Sequence, residues 1–491
     1  MDFIKKLTVA SAIILLCGCG GGKEQEETWK SMGAEARQTY FVNIFSYNMM
    51  STYYLWNAEI KPQLSNWGVT EDPIKKVHSL RYKDEIGREI DKWTQVTNDF
   101  EAFQGKITGD TKSLGIDFTL YYADENKEHV VAVVTYTYPG SPAENAGLKR
   151  GDKIVAINDE LITPDNYKSL IQSTLLSGGD VVLTMEDNSD IKLSACDMYL
   201  DPVNCYKVIV KDGRRIGYLH FTGFTLKCCE KLVEVFRYFK QEAVSELVLD
   251  LRYNGGGYAF TAEVLASMIV PEKEINNGSI FQREIYNSIL TDAWGDSKSV
   301  FRTEFQMDDD EEKVTVSTAG ANLNINKMHV IMTGGTASAS ESLVCGLLPY
   351  MDIDIIGQKS HGKYCGGFIV DGPTWYGWAK DDISKEQYEV AVSDVQNWGI
   401  YVMVSRYADV NGQTPCMPDG FQPDIEVSDN PLDGFQLGDE NETMLKAVLK
   451  DMGKTYPGGT ATRASIMQYD TKHIDHRPTG LNILSVKKIS Q

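Results

Sequence analysis

Apolar positions change their spacing three times along the chain, and each change marks a new kind of structure. Between residues 30 and 105, "AEARQTYFVNIFSYNMMSTYYLW" carries Tyr40, Ile44, Tyr47, Met50 and Tyr54 at three- and four-residue intervals. That spacing predicts a helical N-terminal domain whose aromatic side chains are core. From 106 to 200 the runs shorten. "VVAVVTY", "KIVAI" and "DVVLTME" read as strands, with two small helices between them. In "GSPAENAGL", Ser141 can cap, Pro142 suits the first helical position, Glu144 completes a capping box and Gly147 supplies a left-handed exit. "TPDNYKSLI" is the second capped helix. From 201 to 455 strands alternate with helices. "RRIGYLHF", "ELVLDL", "MHVIMT" and "IDIIG" are strand runs, and "EKLVEVFRYFKQE" places Leu232, Val235, Phe236 and Phe239 on one helical face. This order predicts an α/β domain, a sheet covered by helices. Residues 456–491 show little periodicity and read as a peripheral tail.

Composition narrows the class. With 491 residues the chain is too long for one core, and two to four domains are expected. A formal charge of −21, with no basic run longer than "KDGRR", excludes a nucleic-acid partner or an anionic membrane surface. The first residues, "MDFIKKLTVASAIILLCGC", set two lysines before an apolar run too short to span a bilayer, the form of a secretory leader. "LCGC" resembles the lipobox of bacterial lipoproteins. That resemblance implies a signal peptide over 1–19, lipidation of Cys19 and a linker over 20–29; an ordinary signal peptide is the alternative. The acidic "KEQEE" beyond it resembles surface-export signals of some Gram-negative lipoproteins, pointing to the outer membrane, on its periplasmic or surface face. The chain is thus expected to be exported and to meet the membrane through lipid alone. Its remaining seven cysteines include no CxxC pair, which leaves room for one or two disulfides but not for a zinc site. HExxH is absent and the seven histidines are dispersed, so neither a metal nor another cofactor is expected.

Chemistry concentrates in three stretches. "GGTASASES", Gly334 to Ser342, joins a strand to a helix. A serine there projects from the helix start, where unpaired N–H groups can hold an oxyanion. Thr336 or Ser338 as a plain helix cap, and a phosphate-binding turn, are the alternatives. "RYNGGG" follows a buried strand, so its glycine N–H groups can point into a site. "KSHGKYCGG" offers His361 or Lys363 as a base. At an ordinary pKa of about 10.4 only about one lysine in two thousand is neutral at pH 7, so a lysine base must be buried.

These motifs, in the order "LVLDLRYNGGG", "GGTASASE", "GQKSHGK", resemble the C-terminal processing (tail-specific) peptidase family, as do "GFQPDIEV" and "LGDENETMLKAVL" near the end. The segment "GSPAENAGLKRGDKIVAIN" ahead of them resembles a PDZ domain. The resemblance implies a crotonase- or Clp-protease-like α/β catalytic domain and a serine endopeptidase. In it Ser338 is the nucleophile, Lys363 is the base, and Ala339 with Gly256 or Gly257 supply the oxyanion donors. For the PDZ module it implies binding of polypeptide C-termini by strand addition at "SLGIDF", through Leu114, Gly115, Ile116 and Phe118; a module that only packs is the alternative. Two departures stand out. Many members carry a glutamine four residues after the lysine, where this chain has Gly367. Some carry an aspartate eleven residues after the serine, where it has Pro349. Gly367 favours a second reading, a peptide-binding lipoprotein without turnover. A Ser–His hydrolase of small esters using His361 is a third.

Overall fold

The structure is a computed structural model, which describes residues 28–124, 126–308, 313–453 and the backbone of 481–483. The leader, the 20–29 linker up to residue 27 and Cys19 lie outside the described residues.

Residues 110–199 form a separate body with its own core, built on Leu114, Phe118, Val134, Ile154, Ile171 and Leu183. Its main sheet runs in the order Ile116–Tyr122, Val130–Thr137, Lys153–Ile157, Asp180–Met185, Asp190–Ser194, so Ile116–Tyr122 is an edge strand. Pro142–Asn145 forms a short helix capped by Ser141, whose Oγ accepts from the Glu144 N–H at 3.1 Å. Glu144 itself reaches past the cap to the Gly140 N–H at 2.6 Å rather than to Ser141.

The 201–455 region holds strands of two large sheets and a separate two-stranded pair, Glu304–Asp308 with Lys313–Ser317. One large sheet runs Val203–Lys211, Arg214–Phe221, Glu246–Asp250, Lys327–Met332, Asp352–Gly357, Ile425–Glu426. Its first pair is antiparallel and the rest are parallel, as strands linked through helices must be. The helices Cys229–Gln241, Ala259–Ile269, Ala339–Leu347 and Thr443–Met452 cover it. The second sheet contains Gly256–Tyr258, Leu481–Ile483, Cys365–Asp371, Gly399–Ala408, Ile280–Tyr286 and Ser297–Val300.

Two expectations need correction. The helical N-terminal region has no core of its own. Phe41, Phe45, Tyr54 and Trp56 share one cluster with Phe236, Leu249, Leu343 and Met403. The Tyr376 hydroxyl donates to the Phe41 carbonyl at 2.9 Å, and Gln95–Thr97 adds a strand to Gly399–Ala408. Helix Ala34–Asn48 is therefore apolar on more than the predicted face: Phe41 and Phe45 are fully buried, while Tyr40 and Tyr47 are only partly so. The tail is not wholly peripheral, because Leu481–Ile483 pairs in parallel with Gly256–Tyr258 and touches Cys365–Asp371 at Gly367. A three-residue strand has too few positions to display a period. All seven cysteines among the described residues are free thiols, so none of them forms a disulfide.

A buried polar network ties the first body to the second. Arg252 is fully buried and donates to Asp250, Asp429 and Glu442. Arg150, from the first body, reaches Asp429 at 2.6 Å and the Tyr253 hydroxyl at 2.9 Å. Tyr253 opens the turn that carries Gly256 and Gly257, so the two bodies meet beside that turn.

Candidate active site

Strand Lys327–Met332 ends in a tight turn, and Thr336 fastens it: its Oγ1 accepts from the Thr333 N–H at 3.0 Å and donates to the Leu251 carbonyl at 2.8 Å. Thr336 is thus a turn residue and not the helix cap. Ser338 stands at the N-cap of Ala339–Leu347 with φ 62° and ψ −111°. A non-glycine residue held at positive φ costs about 1–3 kcal/mol and persists only where its surroundings enforce it. Ser338 is fully buried, and its Oγ has no hydrogen-bond partner. Ser340, two residues on, spends its hydroxyl on the Asn254 carbonyl at 3.1 Å. The two serines point apart, as their helical offset requires.

Segment 360–363 runs alongside this turn. The His361 N–H donates to the Thr336 carbonyl at 2.9 Å. Glu341 Oε2 accepts from the N–H groups of both Ser338 and Lys363, each at 2.9 Å, and its Oε1 accepts from Ser360 Oγ at 2.5 Å and the Gly362 N–H at 2.7 Å. On the other side, the Tyr407 hydroxyl meets the Lys363 carbonyl at 2.7 Å and the Ser338 carbonyl at 3.5 Å. One carboxylate and one phenol thus hold residues 338 and 363 side by side. Gly362 lets this segment pass close to the 418–420 backbone. It sits at φ 85°, and a Cβ there would lie 2.7 Å from the Gly420 nitrogen and 2.8 Å from the Pro418 oxygen. Burial pushes the Glu341 carboxyl up to about 7, against the hydrogen bonds that favour its charged form.

Lys363 is fully buried. Its Nζ donates to the Tyr401 hydroxyl at 2.8 Å and lies 5.2 Å from the Trp93 ring centre and 5.0 Å from that of Tyr401. Burial draws its pKa down to about 8, while Cys365, Asp91 and Glu341 pull the other way. Among the described residues it forms no ion pair. His361 is exposed, with its ring against Trp93 at 6.2 Å. Trp93 thus touches both candidate bases from a segment in which the sequence displayed no chemistry.

The glycine turn sits against the Ser338 turn through Asn254. The Asn254 carbonyl accepts from the Ala337 N–H at 3.0 Å, and its Nδ2 donates to the Phe221 carbonyl at 2.9 Å. Its Oδ1 accepts from the Gly256 N–H at 2.9 Å. That bond occupies the Gly256 N–H, while Gly257 lies in the parallel ladder with Leu481–Ile483. Gly257 has φ 142°, and a Cβ would lie 2.3 Å from the Phe224 carbonyl oxygen, so only glycine fits. The Ala339 N–H is the first of its helix and has no intrahelical carbonyl to reach.

Five predicted residues, Ser338, Lys363, Ala339, Gly256 and Gly257, come together here. Leu114, Gly115, Ile116 and Phe118 lie apart, in the first body. Leu114 and Phe118 are core side chains there, each 1% exposed, so neither offers its side chain to a ligand. Ile116 opens the edge strand, and the Gly115 N–H is satisfied by Ser113 Oγ at 3.0 Å. Glu341, Asn254, Tyr401 and Tyr407 complete the catalytic-domain site without having been singled out in the sequence. Glu341 stood within the quoted "GGTASASE"; Tyr401 and Tyr407 lie in an apolar run, "GIYVMVSRYA", that reads only as a buried strand.

Residues 215–427 match the model of Peptidase family S41, and residues 133–177 match that of the PDZ domain. Among curated proteins, the chain is 25% identical over 310 residues to the carboxy-terminal processing protease CtpB of Bacillus subtilis, covering 60% of this chain and 59% of that protein. It is 22% identical over 409 residues to the carboxyl-terminal-processing protease of a Picosynechococcus species, covering 78% and 83%. The chain thus spans less than two thirds of the Bacillus relative and most of the cyanobacterial one. A crystal structure assigned to the S41 proteases, from Bacteroides fragilis, shares the fold with a TM-score of 0.65 at 23% identity, over 84% of this chain and 98% of that one. With one family model covering the Ser338 and Lys363 turns and another covering the body ahead of them, residues 215–427 resemble Peptidase family S41, the body ahead resembles a PDZ domain, and the chain is similar to the carboxy-terminal processing proteases.

Proposed function

We propose that this chain is an endopeptidase that cleaves unfolded or C-terminally exposed polypeptides through a Ser338–Lys363 dyad. One observation carries the reading: a lysine amine shut away from water, paired with no carboxylate, stands on a segment held in register beside a strained serine whose hydroxyl has no hydrogen-bond partner. Neutral Lys363 takes the Ser338 hydroxyl proton as Oγ attacks the scissile carbonyl carbon. The Gly257 and Ala339 N–H groups receive the negative charge on the carbonyl oxygen. The lysine ammonium then protonates the departing amine as the C–N bond breaks, leaving an acyl ester on Ser338. Water, deprotonated by the same amine, hydrolyses that ester.

Extended substrate suits the surroundings. The Leu481–Ile483 segment lies as a strand between Gly256–Tyr258 and Cys365–Asp371. A substrate strand using the same two edges reaches the site by displacing it. The edge strand Ile116–Tyr122 is the place where a polypeptide C-terminus would add to the PDZ sheet. Incubation of the protein with an unfolded casein tests the reading. Wild type is expected to cleave it and Ser338→Ala to leave it intact at equal thermal stability; cleavage by Ser338→Ala overturns the dyad.

The same reading includes export and anchoring through lipid on Cys19 to a bacterial membrane. No helix among the described residues is long and apolar enough to cross one. In a bacterial host, labelled palmitate is expected in wild type and absent from Cys19→Ser; label retained in the variant rejects the anchor.

A further inference from the structure

Gly367 lies in the strand that leaves Lys363, opposite Met403 in the Gly399–Ala408 strand. It is not a vacancy left by a lost glutamine. A Cβ at 367 would lie 2.6 Å from Met403 Cε, 2.6 Å from the Val402 carbonyl oxygen and 2.7 Å from Tyr401 Cε2. Such approaches are far inside van der Waals contact, and one of the three atoms is backbone. The position is therefore closed to any side chain while the Tyr401 ring stays where it is. That ring is 2% exposed, is flanked by Phe103 at 6.2 Å between ring centres, and belongs to a strand paired on both sides, with Gln95 and with Ile369. Its hydroxyl receives the hydrogen bond from Lys363 Nζ at 2.8 Å.

We propose that Tyr401 is the positioning residue for Lys363, standing on a neighbouring strand in the space that glycine at 367 leaves for it. The inference rests on the dyad reading above. A neutral amine has one lone pair and two N–H bonds. Donating one N–H to the Tyr401 oxygen turns the lone pair away from the phenol, and the ring's packing keeps that acceptor from following the amine. The wall that orients the amine is also the wall that keeps it dry, since Trp93 and Tyr401 both lie over it. The groups that set its charge are Cys365 at the start of the strand that follows it, Asp91 on the 82–94 segment and Glu341 on the Ser338 helix. His361 shares its loop. None of these changes when Tyr401 becomes phenylalanine.

Tyr401→Phe keeps the ring and removes the acceptor. We expect kcat to fall 10- to 100-fold with KM nearly unchanged. The alkaline-rising limb of kcat is expected to move to lower pH, because the ammonium loses an acceptor that the neutral amine needs less. A merely structural tyrosine would lower thermal stability and leave that midpoint in place. Gly367→Gln, which restores the residue common in the family, is expected to lower activity as well, by pushing against Tyr401. Wild-type kcat and an unmoved midpoint in Tyr401→Phe overturn the positioning role, as does full activity in Gly367→Gln. The two proposals separate in the same experiment. Cleavage by wild type, none by Lys363→Met and an unaltered Tyr401→Phe reject the tyrosine alone, whereas cleavage surviving in Lys363→Met rejects the dyad.

Discussion

Replacing Lys363 by methionine is expected to remove at least about a thousandfold of the peptidase activity, the scale of losing a positioned base, while leaving the protein as stable as before or more so. The two halves of that expectation come from one fact. Burial takes the amine from 10.5 to about 8. Holding the charged form dry at pH 7 therefore costs about 3 kcal/mol, since each pKa unit is about 1.4 kcal/mol. Methionine fills nearly the same volume without that cost, and gives up one hydrogen bond, worth about 1 kcal/mol. The sign of the pH dependence follows. The folded protein releases this proton near pH 8 and the unfolded chain near 10.5. Between those values the unfolded state binds more protons, so wild-type stability rises with pH across that window, and below about 8 the full cost is present. Lys363→Met should lack this rise. Wild-type kcat should climb through about pH 8 as the base becomes neutral. Melting curves and initial rates from pH 6 to 10, on both proteins, check each point. A variant that is inactive because it is unfolded contradicts the stability half of the argument.

Glu341→Ala should do the opposite to stability. Its carboxylate accepts from Ser338 N–H, Lys363 N–H, Gly362 N–H and Ser360 Oγ, all buried. Alanine leaves four donors without acceptors, and each buried unsatisfied donor costs about 1–3 kcal/mol. A loss of about 4 kcal/mol or more is expected, lowering Tm by roughly 10 °C at the slope usual for domains of this size. Activity should disappear at temperatures where the variant is still folded, because the 338 and 363 segments are then no longer held in register. Glu341→Gln offers one carbonyl oxygen to the same donors and should fall between the two. Differential scanning calorimetry beside the cleavage assay separates the effects. Wild-type activity in folded Glu341→Ala would show that the carboxylate does not align the pair.

What the sequence displayed and what it hid follow a physical line. Strand and helix runs in 201–455 were legible because each element buries one face and so repeats its apolar positions. The motif residues were legible because a glycine turn and a serine at a strand–helix joint are local features. Tyr401 was not legible: its role depends on strand pairing that brings residue 401 beside 363 and 367, and in sequence it is one more aromatic in a buried strand. The N-terminal helix looked like a separate domain because amphipathicity says that a face is buried, not against what. Only the shared cluster with Phe236 and Leu343 shows that the partner is the catalytic core. The occupied Gly256 N–H was likewise hidden, since it depends on a single side-chain bond to Asn254.

The reactivity of the Ser338 hydroxyl tests the central claim most directly. Treating the protein with an acylating β-lactone and locating the ester by mass spectrometry, between pH 6 and 9, measures it without any substrate preference. One adduct on the Ser338 peptide is expected, formed at a rate that rises through about pH 8 and is lost in Lys363→Met. An adduct that forms equally fast in Lys363→Met, or one that falls on Ser340 instead, would contradict the account.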